Sequence, residues 1–262
     1  MYVINKLEGE TPLEALESFR LEKGIDLLSP MTYAGRLDPM AEGLLLILFG
    51  DECKKKGQYL GLDKEYDLEV LLGVGSDTGD ILGIIGKYDM RSFEFEDISL
   101  ELIQEKINML IGKRTEKYPA FSSKPMKGKP MFMHAKEGKL IDFNEDEIPQ
   151  KEIEIYSIDF ISKEIINQTK LVETAIKRIG KVKGDFRQKE IINFWNNLLK
   201  NEDGYDMHLN QFSIIKLHVK SSSGAYMRTL AQKLGESLCT KALAWKIKRT
   251  KIGEYALETA FL

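Results

Sequence analysis

Residues 33–46 read Tyr-Ala-Gly-Arg-Leu-Asp-Pro-Met-Ala-Glu-Gly-Leu-Leu-Leu. One acid, Asp38, stands between a Gly/Arg turn and a proline, just before an apolar run. Pro39 fixes its own φ and biases Asp38 toward extended backbone, so such a loop can hold a carboxylate at the mouth of a cleft. A carboxylate there can act as a nucleophile or as a proton acceptor. Taken alone, an Asp-Pro pair is usually just a turn. The other reactive types offer less. Cys53 and Cys239 cannot build a disulfide framework, and His134, His208 and His218 lie far apart, so no metal site is expected.

The elements that must position Asp38 follow from periodicity. Thr11-Pro12 opens an amphipathic helix over 12–23. Residues 43–49 form an unbroken apolar run that predicts a buried strand, and residues 66–74 predict another. Ile98, Leu102, Ile103, Ile107 and Leu110 recur at helical spacing over 98–111, ended by Gly112. Residues 153–161 and 213–220 predict strands, and 224–238 a helix entered from a Ser/Gly turn. Residues 243–250 fit either a basic helix or a strand. The irregular alternation indicates an α+β fold rather than a doubly wound sheet. Between about 163 and 211 the composition turns to Lys, Asn, Gly and Asp around one amphipathic helix at 191–199. This reads as an insertion packed on the main domain, not a separate domain, so that 1–262 is a single domain.

Of 262 residues, 38 are Lys or Arg and 41 are Asp or Glu, a net charge of −3. A domain-wide basic footprint for nucleic acid is therefore absent. The charge is instead segregated. Residues 117–139 carry six lysines against Glu137, with Tyr118, Phe121 and Phe132 among them, and residues 241–251 carry five cations and no acid. A third stripe covers 177–189. Such stripes either grip a polyanion locally or are solvated lysine-rich loops. No apolar run approaches the roughly 20 residues that cross a bilayer. The N-terminus lacks the pattern of a signal peptide, so a cytoplasmic location is expected.

The whole string around Asp38 resembles the catalytic motif of the TruB family of tRNA pseudouridine synthases, with Gly35, Leu37, Asp38, Pro39, Ala41 and Gly43 at matching places. Further segments resemble the family in its order. They are 5–11 (Asn-Lys-Leu-Glu-Gly-Glu-Thr), Lys64-Glu65-Tyr66, the turn Asp77-Thr78-Gly79-Asp80, Pro119–Lys124 with Gly128-Lys129, Gly224-Ala225-Tyr226-Met227-Arg228-Thr229, and Ile247-Lys248-Arg249-Thr250.

The resemblance implies the pseudouridine-synthase fold, a mixed and largely antiparallel sheet flanked by helices with a central RNA-binding cleft. It implies that uridine is isomerised in tRNA, at uridine-55 of the T-loop, without cofactor, metal or obligatory protein partner, by a monomer. Asp38, Tyr66 and Arg228 take the catalytic places, with Arg228 bracing the carboxylate and Tyr66 stacking on the extruded base. Lys6, Tyr33, Arg36, Lys124, Lys127, Lys129, Ile247, Lys248 and Arg249 take RNA-binding places, Ile247 as an apolar wall of the pocket. Tyr33 replaces the family's usual His, Arg36 its Thr or Ala, and Leu7 its Pro. The 163–211 segment is longer than usual, and the family's C-terminal PUA domain is not expected within this chain. Two other readings are a noncatalytic RNA-binding or tRNA-folding module on the same scaffold, and the same chemistry on another RNA.

Overall fold

The computed structural model describes residues 1–85, 98–200 and 211–259. Strands β1 (Tyr2–Lys6), β2 (Met31–Ala34), β3 (Ala41–Phe49), β4 (Lys64–Leu72), β5 (Gly112–Lys117), β8 (Gln150–Asn167), β9 (Gln211–Ser221), β10 (Ala242–Ile252) and β11 (Tyr255–Ala256) form one sheet. Its main order is β1-β3-β10-β4-β9-β8-β5, with β2 on β3 and β11 on β10. All pairings are antiparallel except β3 with β10. The short strands β6 (Pro125–Met126) and β7 (Lys129–Pro130) make a separate hairpin.

The helices are α1 (Pro12–Glu22), α2 (Lys56–Leu60), α3 (Leu100–Asn108), α4 (Met131–Lys136), α5 (Gln168–Ile179), α6 (Gln188–Lys200) and α7 (Met227–Ser237). Thr11 caps α1 in a reciprocal capping box with Glu14, and Pro12 occupies the first turn. Leu16 and Phe19 of α1 pack on Ile4, Leu45 and Ile47, while Leu44, Leu46 and Leu48 join Val3 and Ile252 in a second cluster. With both faces covered, β3 has no polar alternation, which explains its continuous apolar run. Helices α3 and α7 share a core with β4, β8 and β9 through Ile103, Ile107, Leu230 and Leu234. Helices α5 and α6 pack in another cluster with Leu71, Leu243 and Trp245.

One expectation is corrected. Among its described residues the segment after 163 holds two helices, not one, and its first residues extend β8 to Asn167. Of the two alternatives for residues 243–250, the structure has the strand. Residues 201–210 of the expected insertion, with His208, lie outside the described residues. Among the described residues no helix is long and apolar enough to cross a membrane.

Candidate active site

One transverse row of the sheet underlies the site. Lys6 on β1 pairs with Gly43 on β3, Gly43 with Arg249 on β10, and Arg249 with Tyr66 on β4. Segments far apart in sequence thus arrive abreast. Gly43 has φ +106, and a Cβ there would lie 2.3 Å from the Arg249 carbonyl oxygen. Only glycine allows β3 to pass β10 so closely. A bulge in β10 between Ala244 and Lys246 resets the alternation. Trp245 therefore joins the α5–α6 cluster, whereas Ile247 joins Tyr66 and Leu37 in the α7 cluster.

The loop carrying Asp38 is held by its backbone. Arg249 donates from Nε to the Leu44 carbonyl at 2.8 Å, from Nη1 to Arg36 at 3.2 Å and from Nη2 to Gly35 at 3.0 Å. Lys6 Nζ donates to the carbonyls of Glu10 at 2.6 Å, Leu7 at 2.9 Å and Pro39 at 3.4 Å. The Gly9 amide donates to the Pro39 carbonyl at 2.9 Å, and the Ala41 amide to that of Asp38 at 3.0 Å. Lys6 and Arg249 were expected to meet RNA. Both are buried, and their donors already serve carbonyls of this chain, so they hold the loop instead. Burial pushes the Lys6 ammonium down to about 8 and lowers Arg249 from its ordinary value.

Arg228, the second residue of α7, reaches Asp38 with Nε to Oδ2 at 2.8 Å and Nη2 to Oδ1 at 3.4 Å. Its Nη1 donates to the Thr78 carbonyl at 2.6 Å, and Nη2 also to the Phe121 carbonyl at 3.2 Å. Asp80 Oδ2 lies 3.9 Å from Nε. The guanidinium is thereby held from four directions. Its side chain is 3% exposed, whereas that of Asp38 is 37% exposed. The cation is therefore locked in protein while the carboxylate it orients still faces outward. Burial opposes the Arg228 charge, but Asp38 and Asp80 outweigh it and raise its proton affinity. Burial raises the Asp80 carboxyl, partly opposed by Arg228. Thr78 Oγ1 and the Leu82 amide donate to Asp80 Oδ1 at 2.8 and 2.9 Å, which fixes the 77–80 turn. Asp80 has no assigned role in the sequence reading; its place in the Asp-Thr-Gly-Asp string was the available signal.

Tyr66 and Ile247 are buried in one cluster with Leu37, the neighbour of Asp38. Tyr33 sits half-buried on β2, with Lys56 Nζ 5.3 Å from its ring centre. Arg36 is exposed and Lys248 half-buried. Outward from Arg228 runs a chain of rings and cations. The guanidinium lies 5.9 Å from the Tyr226 ring, Tyr226 is 6.1 Å from Tyr118, and Lys124 Nζ is 5.1 Å from the Tyr118 ring. Burial and Asp38 push the Tyr226 hydroxyl up to about 12. Lys151 donates to Ser223 Oγ at 3.2 Å, and burial together with Lys124 lowers its ammonium. Lys151 lies outside every basic stripe, so only the fold brings it to Lys124. Lys129 pairs with Glu137 at 2.7 Å, and Lys127 pairs with Glu147. His134 is buried, with Nε2 3.0 Å from the Met126 carbonyl. Among the described residues no group of three or more His, Cys, Asp or Glu could hold a metal ion.

The family profile described as TruB family pseudouridylate synthase (N terminal domain) matches residues 28–180, more than half of the chain. The chain belongs to this family. It is 28% identical over 261 residues to the tRNA pseudouridine synthase B of Borreliella burgdorferi (strain ZS7), covering 99% of this chain and 72% of that protein. It is 25% identical over 259 residues to the tRNA pseudouridine synthase B of Chloroherpeton thalassium, covering 98% and 85%. Among solved structures, a Cbf5-Nop10-Gar1 complex aligns with a TM-score of 0.55 at 14% identity, over 97% of this chain and 49% of that one. An H/ACA RNP bound to a substrate RNA containing 2'-deoxyuridine aligns with a TM-score of 0.53 at 14% identity, over 99% and 50%. The chain thus spans about half the length of those chains, and the likeness is one of fold. The expected pseudouridine-synthase fold is the observed one.

Proposed function

We propose that this protein isomerises uridine to pseudouridine in tRNA, at uridine-55 of the T-loop, as a single chain in the cytoplasm. The observation that carries this reading is the partly exposed Asp38 carboxylate gripped by a buried Arg228, on a loop whose Leu37 shares a core cluster with Tyr66 and Ile247. The reaction breaks the C1′–N1 bond of uridine and joins C1′ to C5 of the same base, with a proton leaving C5 and one arriving at N1. A carboxylate beside the sugar starts this rearrangement, by attack on the nucleotide or by removal of a ribose proton. Arg228 holds the Asp38 carboxylate correctly turned through a forked contact. Tyr66 stacks on the extruded base, worth about 1–3 kcal/mol, against the few kcal/mol that unstacking costs. Ile247 supplies the apolar wall.

Arg36, Lys124, Lys127, Lys129 and Lys248, joined by Lys151, take phosphates of the T-arm, and Tyr33 borders the entry. Exposed lysine–glutamate pairs are weakly held, so Lys127 and Lys129 can exchange their partners for phosphates. Free thiols at Cys53 and Cys239 accord with a reducing compartment. The deciding experiment incubates an unmodified tRNA transcript with the purified protein and maps pseudouridine by chemical modification and sequencing. Pseudouridine at position 55 with wild type and none with Asp38→Asn is expected. Refolding of tRNA without isomerisation would instead support a noncatalytic module.

A further inference from the structure

From the connection between α5 and α6, Arg187 reaches the turn that supports Arg228. Arg187 has φ +64, an uncommon value outside glycine, and its turn is built to hold it there. The Arg187 amide donates to Asp185 Oδ1 at 3.2 Å and the Phe186 amide to Gln188 Oε1 at 2.8 Å. Gln188 Nε2 donates back to the carbonyls of Gly184 at 2.8 Å and Val182 at 3.1 Å. From this turn the guanidinium forks onto Asp77, Nη1 to Oδ2 at 2.6 Å and Nη2 to Oδ1 at 3.2 Å. Its centre lies 4.8 Å from the Phe121 ring. The side chain is 22% exposed, so this is a sheltered two-point contact with a stacked face, unlike a single solvated ion pair.

Both partners of Arg187 lead to Arg228. Phe121 supplies the carbonyl that accepts from Arg228 Nη2, and Thr78, next to Asp77, supplies the one that accepts from Nη1. Asp77 itself is fixed in its turn, its Oδ1 accepting from the Ile84 amide at 2.8 Å. Two acceptors that set the Arg228 guanidinium therefore belong to segments tied together by Arg187. We propose that Arg187 is a positioning residue for the reaction. It fixes the Thr78 and Phe121 carbonyls, and through them the orientation in which Arg228 presents Asp38. The inference rests on the reading that Asp38 and Arg228 carry out uridine isomerisation. It gives the α5–α6 connection a task in the chemistry. The same loop also docks the basic segment, since Lys136 Nζ donates to the Asp185 carbonyl at 3.2 Å.

The test compares wild type with Arg187→Ala, Arg187→Lys, Asp77→Asn and the double variant R187A/D77N. Measurements are kcat and KM on a tRNA transcript, thermal unfolding, and the Arg228 Nε–H signal in nitrogen-edited NMR. A fall in kcat of about tenfold in Arg187→Ala is expected, with KM changed less, because small misplacements of a reacting group cost rate rather than binding. Arg187→Lys should recover part of it, R187A/D77N should be no slower than R187A, and the Arg228 signal should shift. An unchanged kcat with an unmoved Arg228 signal would overturn the proposal. So would a loss confined to KM, or additive losses in the double variant. Should Arg187→Ala fail to fold, Arg187→Lys and Asp77→Asn carry the same comparison. A wild type that binds tRNA without isomerising it would sink the reaction assignment, while the Arg228 signal would still decide whether Arg187 sets that guanidinium.

Discussion

The Asp38 loop and the basic segment 117–139 use cations in opposite ways. Around the loop, Lys6, Arg228 and Arg249 are buried and donate to carbonyls and to Asp38. In and around the segment, Lys117, Lys127, Lys129 and Lys139 pair with Glu145, Glu147 and Glu137 at the surface. Burial makes the first set costly to disturb and insensitive to salt, whereas the second set is screened and exchangeable. Residues of one type thus divide into rigid support for chemistry and loosely held grip. The local acids and the depth of the fold decide which is which.

The largest effect that would break this contrast comes from the chemistry. Asp38→Asn should lower kcat by at least about 10³-fold, as expected when a group acting only in the transition state is removed, with tRNA affinity nearly kept. Substantial residual turnover in a single-turnover assay would place the reacting carboxylate elsewhere. Next comes Arg249→Met, which strips donors from three carbonyls around the loop. It should cost about 2–4 kcal/mol in urea unfolding, since buried acceptors are left unsatisfied. A cost below about 1 kcal/mol, roughly what an exposed pair is worth, would put Arg249 in the surface class.

The paired change Lys127→Gln with Lys129→Gln should do the reverse. Affinity for a T-arm stem-loop should fall, and the slope of log K against log salt should become shallower by roughly 0.7–0.9 for each phosphate left without its lysine. Stability should stay within about 0.5 kcal/mol. Equal salt slopes for wild type and variant would remove the segment from RNA binding.

The last test is a pH dependence. Burial holds the ammonium groups of Lys6 and Lys64 at about 8, below the 10.5 of a solvated lysine. Between those values the unfolded chain binds more protons than the folded one, so stability rises with pH across that window. Each group adds at most about 1.4 kcal/mol per pH unit. Urea titrations at pH 8 and pH 9.5 should show this rise in wild type and a smaller one in Lys64→Met. An identical rise would mean that Lys64 is not desolvated.

Legibility in the sequence follows the range of the interaction. Asp38 stands out because Gly35, Pro39 and the apolar run of β3 are its immediate neighbours. Helix α1 is readable from Thr11, Pro12 and its apolar spacing for the same reason. Lys6 and Arg249 pass for RNA ligands in the sequence because only strand register shows that they flank Gly43. The bulge at Ala244–Lys246 hides β10, since it places Ala244 and Ile247 on one face and destroys period-two alternation. Helix α5 escapes notice although Leu171, Val172, Ala175 and Ile179 are buried. Its many exposed polar residues mask that stripe. Arg187 is one cation among several in a basic stripe, and nothing local links it to Asp77.

The parallel pairing of β3 with β10 has a consequence for biosynthesis. Arg228 and Arg249 follow the carboxylate by about 190 and 210 positions. Contacts of such long sequence separation close late, after their loop entropy has been overcome. A nascent chain therefore carries the Asp38 loop unbraced over that span, and the brace is complete only once β10 lies between β3 and β4.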